Sequence, residues 1–543
     1  MKLDHDPQSG GSSAPLDQQP PAGGGTAIVI GSGFGGLAAA IRLSVRGWRV
    51  QVLERLPSPG GRARVHEQDG FRFDAGPTII TVPHLFEELW ALAGRKFSDD
   101  VKMQSLEPYY RIRFDDGRYF DYSGDETRMR AEVARFHPAD LPGFDRLVRD
   151  ADVCYREGFE KLGPVAFDNI GHLVAALPNM VRMRAWQTIW QLVCKHLKDP
   201  WLRVVFSFHP LLIGGNPLKV TSAYSLIHTL ERRFGVHWAV GGTGALIRAM
   251  VNLLASRGVP VRCNAEVQRI TVENGRATGV LLANGERIAA DIVVSNADTA
   301  WTYKHLLGDA PRRVWTDRKL ARAKYSMSLF VWYFGTNKRF EDVPHHQMVL
   351  GPRYEALLTD IFQRHKLTPD FSIYLHRPTA TDRSVAPEGC DTFYALAPVP
   401  HLDSGTDWAS EGEVFRARMQ KRLEETVLPG LGQHIVSSRV TTPQHFHDDL
   451  LSYKGAAFGM EPRLLQSAWF RPHNRSEDVK GLFLVGAGTH PGAGVPGVLM
   501  SAAALETVLP PLPGGAHAHP HAHAHAHAPA PAQPWSPAVV EAR

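Results

Sequence analysis

The chain has 543 residues, of which 43% are hydrophobic and 21% charged, a composition typical of a folded protein with two or more domains. Lysine plus arginine (60) exceeds aspartate plus glutamate (55) by only 5, which is too small an excess to indicate a nucleic-acid partner. No CxxC pair and no apolar run of about 18 residues occurs, which argues against a disulfide framework, a zinc cluster and a membrane span. The four cysteines, which favour a reduced, cytoplasmic setting, are Cys154, Cys194, Cys263 and Cys390.

Both ends of the chain have a biased composition and are expected to be disordered. Residues 1–25 are rich in glycine, proline and polar residues and contain no apolar core for a signal peptide. Residues 511–543 include six histidines, alternating mostly with alanine, between His517 and His527. Because nothing fixes a coordination geometry there, we interpret this tail as a solvated appendage and predict no metal site.

The first predicted element after the leader is a βαβ unit of about thirty residues. Residues 27–30 are an apolar run typical of a buried parallel strand, 37–45 indicate a helix, and 49–53 indicate a second strand. Glu54 ends that second strand, where a carboxylate binds a ribose diol. The turn after the first strand has GxGxxG spacing, which lets backbone approach a pyrophosphate. Its glycines are Gly31, Gly33, Gly35 and Gly36.

Two further stretches extend this pattern. A second glycine-containing turn, "PGGRARV" at 59–65, follows closely after Glu54. A nicotinamide-dependent enzyme has no need of a second glycine turn at that position. Near the far end, "LFLVGAGTHPGAGVPGVLMSA" at 482–502 predicts a strand at 482–485, a glycine-rich turn and a helix at 498–509. No Gly-Lys-Ser/Thr follows the glycines, which excludes a P-loop.

These motifs resemble known families. The GxGxxG unit, the acid and the "GGR" together are similar to FAD-binding oxidoreductases of the amine-oxidase type. The stretch "GAGTHPGAGVPGV" resembles the C-terminal signature of bacterial phytoene desaturases, which are flavin-dependent carotenoid desaturases. Further segments, including "DPWLRVVFSFHPLLIGGNP", "SNAD" and "QSAWFRPHNR", extend the resemblance over about residues 26–508.

The resemblance implies an α/β fold with three parts. A Rossmann-like FAD-binding domain would be built from the discontinuous segments 26–84, 236–300 and 476–510. A helical membrane-facing region would occupy 85–235, and a mixed α+β substrate domain would occupy 301–475.

The resemblance also implies a cofactor, a substrate and a set of contacts. The cofactor would be FAD, and the substrates phytoene and partly desaturated carotenes, with neurosporene or lycopene as product and a quinone or oxygen as electron acceptor. Arg62 would lie near the flavin or its phosphates. The residues expected at FAD are Gly31, Gly33, Gly35, Gly36, Glu54, Arg55, Gly61, Arg62, Gly76, Pro77, Gly486, Gly488, Gly497 and Val498.

A stretch within residues 164–206 suggests contact with a membrane. Trp186, Trp190, Val193 and Leu197 recur at the spacing of one helical face, and basic residues lie elsewhere around the predicted helix. A basic amphipathic helix with tryptophan can lie in a membrane interface. The alternative is a helix that packs this stripe inside the protein. With the first interpretation the protein is cytoplasmic and peripherally bound to a membrane.

Candidates for a catalytic role are few. Arg149 and Asp152 lie three residues apart on a predicted helix and are candidates for an acid/base pair, with a surface ion pair as the alternative. His490 lies within the second glycine-rich stretch, where it either approaches the isoalloxazine or holds the turn. His209 is expected to be a core histidine.

Three other functions remain open from the sequence. The chain could be another carotenoid-modifying flavoprotein, such as a later-step desaturase or an isomerase. It could be a non-catalytic lipid carrier of the same fold, although both glycine elements and "GGR" are intact. It could be an amine oxidase, although the motif "THPGAGVPGV" contains no aromatic residue for an amine-binding cage.

Overall fold

The computed structural model describes residues 24–513, so the predictions for residues 1–25 and 511–543 fall almost entirely outside the described residues. The strands are β1 (Thr26–Ile30), β2 (Arg49–Leu53), β3 (Val65–Gln68), β4 (Phe71–Asp74), β5 (Met103–Ser105), β6 (Tyr110–Arg113), β7 (Tyr119–Tyr122), β8 (His237–Ala239), β9 (Val261–Arg262), β10 (Val267–Glu273), β11 (Arg276–Leu282), β12 (Arg287–Ala289), β13 (Ile292–Ser295), β14 (Ser328–Thr336), β15 (His346–Val349), β16 (Ile373–His376), β17 (Asp391–Val399), β18 (Ile435–Thr441) and β19 (Leu482–Leu484). The helices are α1 (Phe34–Val45), α2 (His84–Leu92), α3 (Glu126–Phe136), α4 (Leu141–Cys154), α5 (Ile170–Arg182), α6 (Ile189–His196), α7 (Pro200–Ser207), α8 (Leu226–Phe234), α9 (Thr243–Ala255), α10 (Thr299–Trp301), α11 (Asp317–Arg322), α12 (Tyr354–Phe362), α13 (Trp408–Thr426), α14 (Pro443–Asp448) and α15 (Val495–Glu506).

A five-stranded parallel sheet forms the first layer, in the order β19-β13-β1-β2-β9. In its centre Ala27 of β1 lies opposite Val50 of β2 and Ile292 of β13. These strands are short apolar runs, which suits a sheet buried on both faces. One face packs against α1, α9 and α15 in a continuous apolar core. The predicted Rossmann-like architecture is therefore confirmed, and its strands come from distant parts of the chain.

The ends of two predicted helices differ from the structure. α1 begins at Phe34, directly after the glycine turn, rather than at residue 37. α15 begins at Val495 rather than at residue 498 and ends at Glu506. Pro496 lies in the first turn of α15, where a missing N–H costs no intrahelical hydrogen bond. Both helices thus start closer to their glycine loops than the apolar pattern alone indicates.

A seven-stranded sheet forms the second layer, in the order β18-β14-β17-β16-β15-β6-β7. Its pairings are antiparallel except for the parallel pair β15–β6. Phe330, Trp332 and Phe334 of β14 pack in a core that includes Phe415 of α13. β6 and β7 lie within the stretch 85–235, so this region is not helical throughout.

Helices α3, α4, α6 and α7 share an aromatic core with β6 and β7 at the far end of the seven-stranded sheet. A π-helical segment, Tyr155–Leu162, continues α4 toward α5. None of the helices in residues 24–513 combines the length and the apolar character that crossing a bilayer requires. The remaining strands form the three-stranded sheet β10-β11-β12 and the pairs β3-β4 and β5-β8.

Candidate active site

A large cavity of about 590 Å³ lies between the two main sheets and the helical region. Part of its wall is the glycine turn between β1 and α1. Another part, here called the apolar arm, consists of side chains from the helical region and from the seven-stranded sheet. Residues that line this arm include Met180, Met183, Phe208, Leu212, Met348 and Leu357. The same cavity therefore joins a backbone-lined region to a hydrophobic one.

The β1–α1 turn brings backbone to the cavity wall. Gly31, Gly33 and Gly35 line the cavity, and Gly31 has a φ of +90°, which favours glycine. A Cβ at Gly36 would lie 2.0 Å from the carbonyl oxygen of Gly31, so this glycine permits close packing of helix and turn and does not line the cavity. The N–H groups in the first turn of α1 have no partner within the helix, which suits an anion.

Glu54 lines the cavity and is held by the same turn. Its Oε2 accepts hydrogen bonds from the N–H of Ser32 at 2.9 Å and from the Ser32 hydroxyl at 2.6 Å. Its Oε1 accepts from the N–H of Leu56 at 2.9 Å. The neighbouring Arg55 also lines the cavity and donates to two carbonyl oxygens after α14, at Asp448 and Asp449. The carboxylate is therefore fixed in orientation before any ligand binds.

Arg62 is a buried guanidinium that lines the cavity with Gly61, Gly76 and Pro77. Burial lowers its pKa, and the nearby carboxylate of Asp298 opposes that shift. Its Nη2 donates to the hydroxyl of Ser452 at 3.0 Å, whereas Nε has no hydrogen-bond partner among the described residues. A buried donor without a partner is costly, so this site suits an acceptor-rich ligand.

The second glycine-rich stretch contributes to the same wall. Gly497 and Val498 of α15 line the cavity, and Gly494 precedes the helix with a φ of +100°. A second helix N-terminus is thereby placed at the cavity. Gly486 and Gly488 do not line it: a Cβ at either residue would lie 2.4 Å from a side-chain oxygen, of Asn296 or Thr299 respectively. Their predicted contact with the cofactor is corrected to a packing role.

Asn296 lies in the cavity wall but was not predicted. Its side chain lies within 4 Å of the Cβ position of Gly31, Gly33, Gly35, Gly36 and Gly486, so it joins the two glycine elements. It follows β13 directly, at the carboxyl edge of the parallel sheet. Ligands bind at that edge in open α/β sheets. The motif "SNAD", which directly follows an apolar strand, was therefore the feature of the sequence that could have identified Asn296.

The predicted acid/base pair lies away from the cavity. Arg149 on α4 is exposed, and Asp152 accepts a hydrogen bond from the hydroxyl of Thr229 at 2.9 Å. Asp152 also lies 3.7 Å from Arg232. Neither Arg149 nor Asp152 lines the cavity. No residue of α4 lines the cavity, so the structure does not bring this pair to the candidate site.

His490 lines the cavity and holds its loop. Its Nε2 lies 2.8 Å from the carbonyl oxygen of Leu162 and must donate to it, so the imidazole ties the loop before α15 to the π-helical segment. Its ring packs edge-on against Phe167. Burial lowers the pKa of His490 to about 4, so the ring is neutral at pH 7. His490 therefore holds the turn, one of the two roles that the sequence left open, and its ring also lines the cavity.

A buried carboxylate, Glu231, lines the apolar arm and was missed from the sequence. It is only 1% exposed, and its Oε1 accepts a hydrogen bond from the hydroxyl of Tyr110 at 2.5 Å. Its Oε2 lies 3.2 Å from Nε2 of His209, so the expected core histidine has an acidic neighbour. On α8, Glu231 lies four residues after Ile227, so both residues lie on the same face of the helix. An acidic residue on an apolar helical face was the feature of the sequence that could have identified Glu231.

The predicted membrane stripe does not form one exposed helical face. Val193 and Leu197 are fully buried, and Trp186 precedes α6 rather than belonging to it. The exposed apolar face belongs instead to α5, immediately before. Its residues are Ile170 (61% exposed), Val174 (59%), Leu177 (50%) and Val181 (61%), followed by Trp186 (67%).

The residues of the glycine-lined region fit FAD. Two helix N-termini, at α1 and α15, border one cavity and favour phosphate or another electron-rich group. Glu54 is placed as an acceptor for ribose hydroxyls. Arg62 supplies an Nε–H donor that has no hydrogen-bond partner within residues 24–513. This donor and acceptor set matches a dinucleotide with a polar ring system.

Comparisons with known proteins agree with this site. The model of the flavin-containing amine oxidoreductase family matches residues 34–504. A neurosporene-forming phytoene desaturase of Cereibacter sphaeroides is 49% identical over 492 residues, 90% of this chain and 95% of that protein. A lycopene-forming phytoene desaturase of Pseudescherichia vulneris is 46% identical over 483 residues, 89% of this chain and 98% of that protein. A solved oxidoreductase from Methanosarcina mazei has a TM-score of 0.60 at 18% identity, covering 89% of this chain and 100% of its own. That likeness bears on the fold alone.

Proposed function

This chain belongs to the family of flavin-containing amine oxidoreductases, and from that premise we propose that it is an FAD-dependent phytoene desaturase of carotenoid biosynthesis. The observation that carries the proposal is the continuous cavity, which joins a dinucleotide-type glycine region to a long apolar arm. A polyene hydrocarbon has no polar group to bind, so an apolar arm is the form of site that it requires.

FAD, when bound, supplies the acceptor for the hydride removed from a C–H bond of the substrate. The chain supplies the binding set described above. The backbone N–H groups at the start of α1 would hold the pyrophosphate, Glu54 would accept from the ribose, and Arg62 would donate to the flavin or its phosphates. His490 holds the loop that precedes α15 at the cavity wall. The apolar lining excludes water from the reacting carbons.

We propose that Glu231 handles the proton. Desaturation removes a hydride and a proton from adjacent carbons, so a base in the apolar arm is needed for the second hydrogen. Glu231 is supported by its position in that arm and by its Oε2, which has no hydrogen-bond partner among the described residues. The hydroxyl of Tyr110 fixes the other oxygen, which orients the carboxylate.

We propose that α5 docks the enzyme on the cytoplasmic face of a membrane. Its exposed apolar face is the kind that inserts into the headgroup and acyl boundary. Met180 of the same helix and nearby Met183 line the cavity, so lipid-dissolved phytoene would have a short apolar route inward. Arg182 at the end of α5 and Arg184 just after it are more than 40% exposed; each pairs with a carboxylate at 3.3 Å, Glu157 and Asp150 respectively, and each can also attract anionic lipids. The electron acceptor is then a membrane quinone or dioxygen.

The experiment uses the purified flavoprotein with phytoene in anionic liposomes and chromatography of the products. The expected result is loss of phytoene and appearance of neurosporene or lycopene, with no turnover of putrescine in the same buffer. Unchanged phytoene with fully loaded FAD would refute the substrate. Parallel anaerobic reactions with and without added quinone decide between the two acceptors.

A further inference from the structure

Three buried histidines form a compact cluster beside the seven-stranded sheet. His345 and His346 stand at the start of β15, and His376 ends the neighbouring β16, opposite His346 in the ladder. None of the three is more than 5% exposed. One ligand nitrogen from each lies within 4.8 Å of the others. Two adjacent strand ends thus bring three imidazoles to one point, although the sequence predicted no metal site.

The hydrogen bonds indicate which nitrogens face the centre. Nδ1 of His346 lies 2.7 Å from the hydroxyl of Tyr374, and Nδ1 of His345 lies 2.7 Å from the hydroxyl of Thr381. Nε2 of His346 has no hydrogen-bond partner among the described residues. Nε2 of His345 and Nε2 of His376 form a hydrogen bond with each other at 3.1 Å, which a bound ion would replace. The Nε2 atoms are therefore the ones available to a ligand.

The spacing suits a metal ion. Zinc binds histidine nitrogens at about 2.0–2.1 Å with tetrahedral geometry, which places two ligand nitrogens roughly 3.3 Å apart. The separation of 3.1 Å between Nε2 of His345 and Nε2 of His376 is close to that value. The ligand nitrogen of His346 lies within 4.8 Å of the other two, so it would move inward by up to about 1.5 Å to reach that spacing.

We propose that His345, His346 and His376 form a binding site for a Zn²⁺ ion through their Nε2 atoms. Three imidazoles suit a borderline divalent ion, and zinc is the one for which a three-histidine tetrahedral set with one open position is usual. The hydroxyls of Tyr374 and Thr381 serve as outer partners that fix the rings, as metal-bound histidines generally require. The carboxylate of Asp382 is the anionic neighbour of His345, and Arg377 is a nearby cation paired with Asp391 at 3.0 Å.

A chain of hydrogen bonds through His346, Tyr374 and Thr78 would connect the bound ion to the cavity wall. With Nε2 bound to zinc, Nδ1 of His346 carries the proton and donates to Tyr374, whose hydroxyl then donates to Thr78 at 2.7 Å. Tyr374 and Thr78 both line the cavity. The site therefore ties β15 and β16 together and fixes part of the cavity wall without contacting the cofactor region.

The test compares zinc content in the full chain. Wild type, His346→Gln and the control His447→Gln, a half-buried histidine on α14 outside the cluster, are loaded with ZnCl₂, dialysed against a chelating resin and measured by mass spectrometry. The tail histidines are present in all three, so their contribution cancels. The expected result is one zinc per chain fewer in His346→Gln than in wild type, and no loss in the control. Equal zinc in wild type and His346→Gln would overturn the proposal.

A second measurement does not depend on the variant folding. Wild-type crystals soaked in ZnCl₂ are measured at the zinc absorption edge, where an anomalous peak bounded by the three Nε2 atoms is expected. No peak at the cluster would equally overturn the site. A gain in thermal midpoint with zinc in wild type and control, but not in His346→Gln, would support it, because only the native state holds the three ligands together.

Discussion

The exposed face of α5 leads to a quantitative prediction about membrane binding. Val174 and Val181 are 59% and 61% exposed and lie two helical turns apart. The double substitution Val174→Ser and Val181→Ser removes apolar surface without adding a charge. We expect the doubly substituted enzyme to keep its fold, because neither side chain belongs to a core cluster of the described residues.

The size of the effect follows from these exposures. Fully burying a valine is worth about 1.5 kcal/mol, the low end for large apolar side chains. With about 60% of each side chain available, the pair contributes roughly 1.8 kcal/mol to membrane transfer. At about 1.4 kcal/mol for each factor of ten, the partition constant should fall roughly 20-fold.

Cosedimentation with anionic liposomes at several lipid concentrations measures that constant. The matched control is the double substitution Val414→Ser and Val436→Ser, at valines that are 46% and 48% exposed on α13 and β18. The control should bind as wild type does. If both double variants bind like wild type, or both weaken equally, α5 is not the docking element. Raising the salt concentration should leave the ratio between variant and wild type unchanged, because the lost contribution is apolar.

Other substitutions test the cavity. Glu231→Gln should keep FAD and lower kcat about 100-fold or more, the usual contribution of a general base, and unaltered single-turnover reduction of the flavin would contradict that role. Arg62→Met should weaken FAD binding in a fluorescence titration while leaving the apoprotein no less stable, because it removes a buried charge. Gly35→Val should abolish FAD binding, since even a Cβ would lie 2.6 Å from the Asn296 amide oxygen. Burial raises the pKa of Asp74 to about 6, so its ionisation destabilises the fold as the pH rises from about 4 to 6. Asp74→Asn should remove that loss, so by pH 7 its free energy of unfolding should exceed that of wild type by up to about 3 kcal/mol. If the thermal midpoints of the two proteins change with pH in parallel, this prediction is contradicted.

The sequence predicted the parts of this protein that local physics determines. The apolar run of β1, the glycine turn and Glu54 follow from strand burial and phosphate contact within thirty residues, and the structure has them as predicted. Glu231 and Asn296 were missed because their role depends on what packs opposite them. The same limit explains the error at Val193: a periodic stripe identifies a face, and only the tertiary fold decides whether that face meets solvent.

The surroundings of Glu231 connect the stability of the fold to the proposed reaction. An apolar cavity is an unfavourable place for a carboxylate, and an oxygen without a hydrogen-bond partner adds to that penalty. The fold offsets part of it with the hydroxyl of Tyr110 and the nearby ring of His209. Replacing Glu231 by glutamine should therefore raise the thermal midpoint or leave it unchanged while activity falls. A variant that loses both activity and stability would identify Glu231 as a structural anchor rather than a base, so the two measurements together separate these roles.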